Sequence, residues 1–352
     1  MVVGGETRSV LPWLDAPLRE ALARQRGHAL LVQAPEGIGT WSFLRLMAQA
    51  WLCEDPGDAP PCGRCASCRL VGAEAHPDLY LLLPESRRVG LTGGEGAAEA
   101  GADTGRTKKK PSRQIRIDEV RAAVDWIVHS SSRGRAKVLV VHPAEAMNLQ
   151  ASSALLKSLE EPPGMARWLL GTADAAHLLP TVRSRCQRLV LPAPDAASGQ
   201  AWLEAQGVAD AAVLLAAAGG RPLEARELVA AGIDARTWIA LPAAVARGHA
   251  AAMPEWALPR TIDTLQKLCH DAQAVAAGGR PRYFPLEAIA PGARLPALVQ
   301  WGRTLSRISR HDEHPWNEGL LVEALVAEGH ACWQDATTAP PSTRRPLDTL
   351  AR

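Results

Sequence analysis

Short runs of apolar residues recur along the first half of the chain, and segments with a helical period separate several of them. The runs, rich in Val and Leu, occupy residues 28–32, 79–83, 138–141, 168–170 and 189–191. Between the second and third runs, Ile117, Val120, Val124 and Ile127 share one face of a helix. Strands that alternate with helices are typical of a parallel sheet covered on both faces. The pattern therefore predicts an α/β fold for this half.

One segment inside this half departs from the pattern. Residues 86–114 are rich in Gly, Ala and charged residues and contain almost no bulky apolar side chain. Such a segment cannot bury enough apolar surface to offset the conformational entropy that it would lose on ordering. We therefore predict a flexible insertion at 86–114.

The second half of the chain has a different character. After Pro192-Ala193-Pro194 the strand signals stop, and segments rich in Ala and Leu with helical periodicity follow. Gly and Pro break these segments near residues 219–220, 242 and 278–279. We predict an all-helical half with a small domain at 191–236 and a larger one at 237–352, whose tail from Thr337 is poorly ordered.

Composition narrows the class of protein. The 352 residues carry a net charge of only +2, so charge alone gives no reason to expect a polyanion as the main partner. The N-terminal residues lack a signal pattern, and no apolar run reaches the roughly 20 residues that span a bilayer. We predict a cytoplasmic protein with no membrane partner. Its seven cysteines should stay reduced there, so a tight cysteine cluster would favour a metal site over disulfides.

Residues 34–41, Ala-Pro-Glu-Gly-Ile-Gly-Thr-Trp, follow the first predicted strand as a phosphate-binding loop (P-loop) would. In such a loop, glycine-rich backbone N–H groups wrap the phosphates, a lysine neutralises them, and a Ser or Thr hydroxyl holds Mg²⁺. Gly37 and Gly39 keep the backbone pattern, but Thr40 stands in the lysine position and Trp41 in the hydroxyl position. By itself the segment is equally compatible with an ordinary tight turn.

A second loss favours a degenerate nucleotide site over an ordinary turn. An ATPase of this type carries an Asp-Glu pair at the end of a later core strand, but here the run 136–141 continues into His142-Pro143-Ala144. Glu145 is expected to lie too far around the following turn to replace that pair. We predict no ATP hydrolysis by this chain alone. Weak binding of ADP or ATP stays open, because Gly37 and Gly39 keep part of the anion-binding backbone.

Four of the seven cysteines fall within 16 residues: Cys53, Cys62, Cys65 and Cys68. Cysteines with two residues between them can bring their thiolates together on one ion through a tight turn, and tetrahedral zinc takes four thiolates. With all four positions filled by protein, the zinc would be structural. An iron–sulfur cluster takes the same donors, and four unrelated thiols are the remaining alternative.

The segment 181–186, Thr-Val-Arg-Ser-Arg-Cys, has by itself the appearance of a surface basic pair. Together with the preceding motifs, however, it completes an ordered set. The set consists of the loop 34–41, the four cysteines, His76-Pro77-Asp78, the segment 154–163 (Ala-Leu-Leu-Lys-Ser-Leu-Glu-Glu-Pro-Pro) and Ser184-Arg185-Cys186. With these motifs, nearly the whole chain resembles the delta-prime family of bacterial DNA polymerase III clamp-loader subunits, which belongs to the AAA+ proteins.

The resemblance implies roles that the residue patterns do not give by themselves. Arg185 would be an arginine finger that acts in trans on the nucleotide of a neighbouring ATPase subunit, and Thr172 would match a sensor position. Residues 1–190 would form an AAA+ core with a zinc module at 53–68, residues 191–236 a helical lid, and residues 237–352 a collar that oligomerises.

The function that the resemblance implies is that of a non-catalytic subunit in a DNA polymerase holoenzyme, one that helps to load the sliding clamp on primed DNA. Expected partners are the ATPase subunits and the delta subunit of the loader, the sliding clamp, and primer-template DNA reached through the complex. Two alternatives are an ATP-hydrolysing loader subunit and a stand-alone zinc protein that binds nucleic acid. Arg64 and Arg69 are the only basic residues in or beside the cysteine cluster, which argues against the second.

Overall fold

The computed structural model describes residues 11–57, 60–91, 111–253, 256–310 and 316–334. The chain divides into two compact units, 1–194 and 195–352. The first unit contains every strand found in these described ranges, and the second contains only helices and their connections. The change of character at Pro194 agrees with the point at which the strand signals of the sequence stop.

Five strands form one sheet in the first unit, each at one of the predicted apolar runs. They are β1 (Ala29–Gln33), β2 (Leu79–Leu82), β3 (Lys137–Val141), β4 (Ala166–Thr172) and β5 (Gln187–Val190). Their order is β2-β3-β4-β1-β5, and every neighbouring pair is parallel. The predicted parallel sheet is therefore confirmed. Because all strands point the same way, their carboxyl ends meet along one side of the sheet, the carboxyl edge, and their amino ends along the other, the amino edge.

Helices fill the connections of this unit. They are α1 (Asp15–Arg24), α2 (Thr40–Leu52), α3 (Ala66–Gly72), α4 (Glu85–Leu91), α5 (Ile117–Ile127), α6 (Leu149–Glu160) and α7 (Pro180–Arg183). The predicted apolar face of α5 is confirmed, since Val120 and Ile127 are buried and Ile117 and Val124 pack against the same core. Trp168 of β4, fully buried, lies in that core.

The second unit is a set of helices packed on one another. They are α8 (Ala196–Ala205), α9 (Ala211–Ala217), α10 (Pro222–Ala230), α11 (Ala235–Ala246), α12 (Leu258–Ala276), α13 (Leu295–Ser309) and α14 (Glu318–His330). The buried carboxylate of Asp271 accepts hydrogen bonds from the backbone N–H groups of residues 282, 283 and 284, which fixes the chain after α12. A division of this unit at residue 236 stays a prediction.

The segment predicted to be a flexible insertion, 86–114, begins inside α4. Residues 92–110, and the tail beyond residue 334, lie outside the described residues. Within the described ranges, no single helix has the length and apolar character needed to cross a bilayer. One bent pair, Pro222–Ala230 with Ala235–Ala246 at 84°, reaches that standard on length and composition alone.

Candidate functional site

The loop 34–41 lies at the carboxyl edge, between the end of β1 and the start of α2. Its backbone keeps the form that the sequence predicts: Gly37 and Gly39 have φ angles of 82° and 108°, a left-handed region that side chains disfavour. Helix α2 begins directly after Gly39, whose carbonyl accepts the N–H of Phe43 at 2.9 Å. The indole N–H of Trp13 donates to the carbonyl of Ile38 at 2.8 Å, which ties the loop to the preceding segment.

A P-loop protein needs a lysine and a hydroxyl at the two positions that Thr40 and Trp41 occupy, and both residues are packed against neighbouring side chains. Thr40 is only 7% exposed, and the ring of Trp41 stacks on His142 with centroids 5.8 Å apart and 16° between the planes. His142, at the end of β3, is 8% exposed. A Cβ on Gly171 of β4 would lie 2.5 Å from Leu44 Cδ1 and 2.7 Å from His142 Nδ1. A side chain at position 171 would therefore displace Leu44 or His142, both of which are buried.

Arg87 of α4 closes this cluster from the side. Its Nη1 donates to His142 Nε2 at 3.2 Å, and its Nη2 donates to Glu36 Oε1 at 2.9 Å. Burial, with a further contribution from the Arg87 charge, lowers the pKa of His142 to about 4. The imidazole is therefore neutral near pH 7, so that Nε2 accepts from Arg87 while Nδ1, 3.4 Å from the carbonyl oxygen of Gly171, carries the proton. A helix from the predicted flexible insertion thus contributes to this cluster at the carboxyl edge.

Thr172 and Glu145 complete the carboxyl edge. Thr172 is fully buried at the end of β4, and its backbone carbonyl accepts the N–H of Ala34 at 3.1 Å. Its hydroxyl has no hydrogen-bond partner among the described residues. The carboxylate of Glu145 returns to this edge, where Oε1 accepts the N–H of Ala173 at 2.8 Å and Oε2 is buried. The expectation that Glu145 lies too far around the turn is corrected in this respect, because its side chain reaches the end of β4.

Arg185 lies at the amino edge, in the turn between α7 and β5. Its guanidinium forms an ion pair with Glu160, the last residue of α6. Nη1 also donates to the carbonyl of Thr181 at 2.9 Å and lies 3.3 Å from Ser184 Oγ. The side chain stays 33% exposed, so a group outside this chain can reach it.

Strand register separates Arg185 from the loop 34–41 of the same chain. Gln187 pairs with Leu30, while the loop begins after Gln33. At about 3.3 Å per residue, the loop starts roughly 13 Å further along the strand direction than Gln187. Arg185 precedes Gln187, so it lies at the end of the sheet opposite the loop 34–41 of its own chain.

The four cysteines of the predicted zinc module come together between α2 and α3. One Sγ atom from each lies within 4.8 Å of the other three. The backbone N–H groups of Cys62, Cys65 and Cys68 donate to the sulfurs of Cys53, Cys62 and Cys65 at 3.3 to 3.4 Å. Burial tends to raise the pKa of Cys65, but backbone N–H donors, first that of Cys68, bring it down to about 6. Burial raises the pKa of Cys53 and Cys68, so a metal ion would have to displace their protons on binding. Four cysteine sulfurs converging on one point are the donor set that a tetrahedral metal takes.

Polar residues around the cluster attach it to the amino edge. Arg133, in the turn before β3, donates through Nε to Glu54 Oε1 at 2.6 Å and to Ser67 Oγ at 3.1 Å. Ser67 in turn lies 2.9 Å from His76 Nε2, and both side chains are buried. The Arg133 hydrogen bond lowers the pKa of Glu54, which keeps that carboxylate charged.

Known proteins match the sequence of this chain. The family profile described as "DNA polymerase III, delta subunit" matches residues 16–195, which are 180 of the 352 residues. The DNA polymerase III subunit delta-prime of Pseudomonas aeruginosa is 37% identical over 230 residues, covering 64% of this chain and 62% of that protein. The chain belongs to the delta-prime family of DNA polymerase III subunits.

Two further relatives are similar over different shares of this chain. The delta-prime subunit of Escherichia coli K12 is 29% identical over 278 residues, 73% of this chain and 76% of that protein. The tau subunit of the same organism is 30% identical over 168 residues, 48% of this chain and 22% of that protein. The match to the Pseudomonas aeruginosa protein spans less than two thirds of that relative's length.

In this delta-prime family member, the structure brings some of the predicted site residues together and keeps others apart. Gly37, Gly39, Thr40 and Thr172 meet at the carboxyl edge, and the four cysteines meet beside α3. Arg185 belongs to neither group and lies in the turn before β5. No sequence pattern signals the contacts of Arg87 with His142 or of Glu160 with Arg185, since each joins residues far apart in the chain.

Proposed function

We propose that this chain is a subunit of a DNA polymerase III clamp loader that has no nucleotide chemistry of its own and donates Arg185 in trans to the site of a neighbouring ATPase subunit. The observation that carries the proposal is the position of Arg185 at the sheet edge opposite its own P-loop. A guanidinium placed there can complete a nucleotide site only if that site belongs to another chain.

The chemistry of phosphoryl transfer supports this role. Charge spreads over the oxygens of the transferred phosphoryl group, and a guanidinium aimed at them stabilises that charge. Arginine fingers supplied in trans accelerate phosphoryl transfer by roughly 10³ to 10⁵ in known systems. Arg185 keeps a third of its side chain exposed, and a guanidinium presents its N–H donors in a planar fork that suits phosphoryl oxygens.

The carboxyl edge supports the absence of hydrolysis by the chain itself. Thr40 has no charge to offer a phosphate, and Trp41 has no hydroxyl for Mg²⁺. His142 occupies the strand end where an acidic residue would hold the metal or orient water, and it is neutral near pH 7. Gly37, Gly39 and Thr40 still present a loop of the right shape, so weak nucleotide binding is compatible with the proposal.

The same proposal assigns the remaining parts. Residues 1–190 serve as the AAA+ core, 191–236 as the lid and 237–352 as the collar through which subunits assemble. The partners are the loader's ATPase subunits and delta subunit, the sliding clamp, and primer-template DNA held by the complex. The curated delta-prime and tau relatives, named as DNA polymerase III subunits, support this assignment.

We also propose that Cys53, Cys62, Cys65 and Cys68 hold one structural zinc ion. Zinc–sulfur bonds of about 2.3 Å in a tetrahedron place the sulfurs about 3.8 Å apart. The Sγ atoms of Cys62 and Cys68 lie 3.9 Å apart, in agreement with that geometry. All four donors come from the chain, so the ion would stabilise the module and leave no position for substrate. Metal analysis of the purified protein should find about one zinc per chain, and Cys65→Ser should lose it.

The central test is a reconstituted loader in which this chain is combined with the ATPase and delta subunits of the same organism. The Arg185→Ala variant should assemble normally. The rate of DNA-stimulated ATP hydrolysis should fall about 10³-fold at the site that Arg185 completes. Arg183→Ala removes a neighbouring guanidinium that binds the carbonyl of Ala175, and it serves as the matched control. An assembled Arg185→Ala loader with undiminished activity would contradict the finger role. ATP turnover by the isolated chain would contradict the non-catalytic role.

A further inference from the structure

The ion pair between Glu160 and Arg185 joins two elements at the amino edge. Glu160 ends α6, and Arg185 follows α7. We propose that Glu160 is a positioning residue for Arg185: its carboxylate fixes the plane of the guanidinium so that the remaining N–H donors face a nucleotide on the adjacent subunit. This inference rests on the proposed function, and it assigns the pair to the reaction of that neighbouring site.

An arginine side chain needs such support because its flexible stem allows many rotamers, each of which aims the guanidinium differently. The turn that carries Arg185 supplies one anchor, through the contacts of Nη1 with the Thr181 carbonyl and Ser184 Oγ. Glu160 supplies a second anchor at Nη2, from a different helix. Two anchors on opposite nitrogens fix a planar group, whereas one anchor leaves it free to rotate.

These contacts leave some N–H donors of the guanidinium unused. It carries five N–H donors, and the anchors use both hydrogens of Nη1 and one side of Nη2. Donors on Nε and Nη2 are left for phosphoryl oxygens. Glu160 therefore holds Arg185 without consuming the hydrogen bonds that the finger role needs.

The exposure of the pair determines where its effect should be measured. The two side chains are 33% and 48% exposed, and ion pairs in contact with water contribute little to folding stability. Loss of the pair should leave the fold intact and the loader assembled. The change should instead affect the turnover of the neighbouring ATPase, because catalysis depends on orientation to within about 1 Å.

The chain offers a matched control at the next position. Glu161 carries the same charge, is exposed, and forms no side-chain hydrogen bond or ion pair with the described residues. Glu160→Gln and Glu161→Gln remove the same charge one residue apart, but only the first replaces the charged anchor of Arg185 by a weaker neutral one. A general effect of local charge would appear in both variants.

The test uses the reconstituted loader, with assembly of every variant checked by size-exclusion chromatography before DNA-stimulated ATPase is measured. Glu160→Gln should lower kcat about tenfold, less than the roughly 10²-fold that a 1 Å misplacement can cost, with the KM for ATP unchanged. Glu161→Gln should match the wild type, and Glu160→Asp should recover part of the loss. In the Arg185→Ala background, Glu160→Gln should have no further effect.

The variants separate the failure of this inference from the failure of the proposed function. If Arg185→Ala itself leaves hydrolysis unchanged, the finger role fails, and the positioning role fails with it. If Arg185→Ala lowers hydrolysis but Glu160→Gln behaves as Glu161→Gln does, only the positioning role is overturned. It is overturned as well if Glu160→Gln raises kcat, or if it lowers kcat equally without Arg185.

Discussion

The two edges of the sheet use their side chains in opposite ways. At the carboxyl edge, Thr40 and His142 are buried and Gly171 leaves no room for a methyl group. At the amino edge, Arg185 and Glu160 form a charged pair that water still reaches. The first arrangement stabilises the fold of the chain, and the second keeps a reactive cation accessible. The difference indicates that burial governs the side chains at the carboxyl edge, whereas accessibility governs Arg185 and Glu160 at the amino edge.

Side chains of the chain itself fill the carboxyl edge. Trp41, at the position where a P-loop protein carries its Mg²⁺-binding hydroxyl, stacks on His142. Arg87 then caps the imidazole and pairs with Glu36. The prediction from this comparison is that substitutions at the carboxyl edge change the free energy of unfolding, whereas substitutions at the amino edge do not.

The largest expected effect is that of Gly171→Ala. The added methyl group would overlap Leu44 Cδ1 at 2.5 Å and His142 Nδ1 at 2.7 Å, and both side chains are buried. Overpacking of this kind costs about 3 kcal/mol of unfolding free energy, measured by urea denaturation. Gly72→Ala is the control, because a Cβ there meets nothing within 4 Å. Equal stability of the two variants would show that the carboxyl edge is loosely packed, and the comparison of the edges would fail.

The next effect is a dependence of stability on pH that originates at His142. Its pKa is lowered from 6.5 to about 4 in the folded chain, so the unfolded chain binds the proton more readily between these values. The stability contributed by neutral His142 is complete above pH 6.5 and is lost as the pH falls towards 4. The loss amounts to about 2 to 3 kcal/mol. Urea denaturation at a series of pH values should show it in the wild type.

Two histidine variants isolate this contribution. His142→Asn removes the titrating group, so the fall in stability between pH 6.5 and 4 should be smaller by about 2 to 3 kcal/mol than in the wild type. His129→Asn removes an exposed imidazole and should leave the wild-type profile unchanged. If the His142→Asn profile runs parallel to that of the wild type, the imidazole is not held neutral by its surroundings.

The sequence predicted the sheet well because its signal is local. The three central strands, β3, β4 and β1, are runs of apolar residues buried on both faces, whereas the edge strands β2 and β5 are shorter and more exposed. Helix α5 repeats its apolar residues at helical spacing. Helix α4 was missed for the complementary reason. Polar contacts hold it, including Arg88 with the Leu83 carbonyl and with Glu119, and no apolar periodicity reports such contacts.

In the candidate site, too, local features could be predicted from the sequence, and contacts made by the fold could not. The loss of lysine and hydroxyl at Thr40 and Trp41 could be predicted, because both positions are fixed by their distance along the chain from Gly37 and Gly39. The partner of Arg185 could not, since Glu160 is brought to it by the fold. The same holds for Arg87 with His142, which depends on a helix that the sequence did not predict.

The smallest expected effect is at the amino edge, in the isolated chain. Arg185→Ala and Glu160→Gln each remove the same exposed ion pair, and such pairs contribute about 0 to 1 kcal/mol to folding. Each variant should therefore unfold in urea within about 1 kcal/mol of the wild type, with the same dependence on denaturant. A loss comparable to that of Gly171→Ala would mean that the pair is part of the structural core. The ion pair of Arg185 would then serve the stability of the fold, and the contrast between the two edges would disappear.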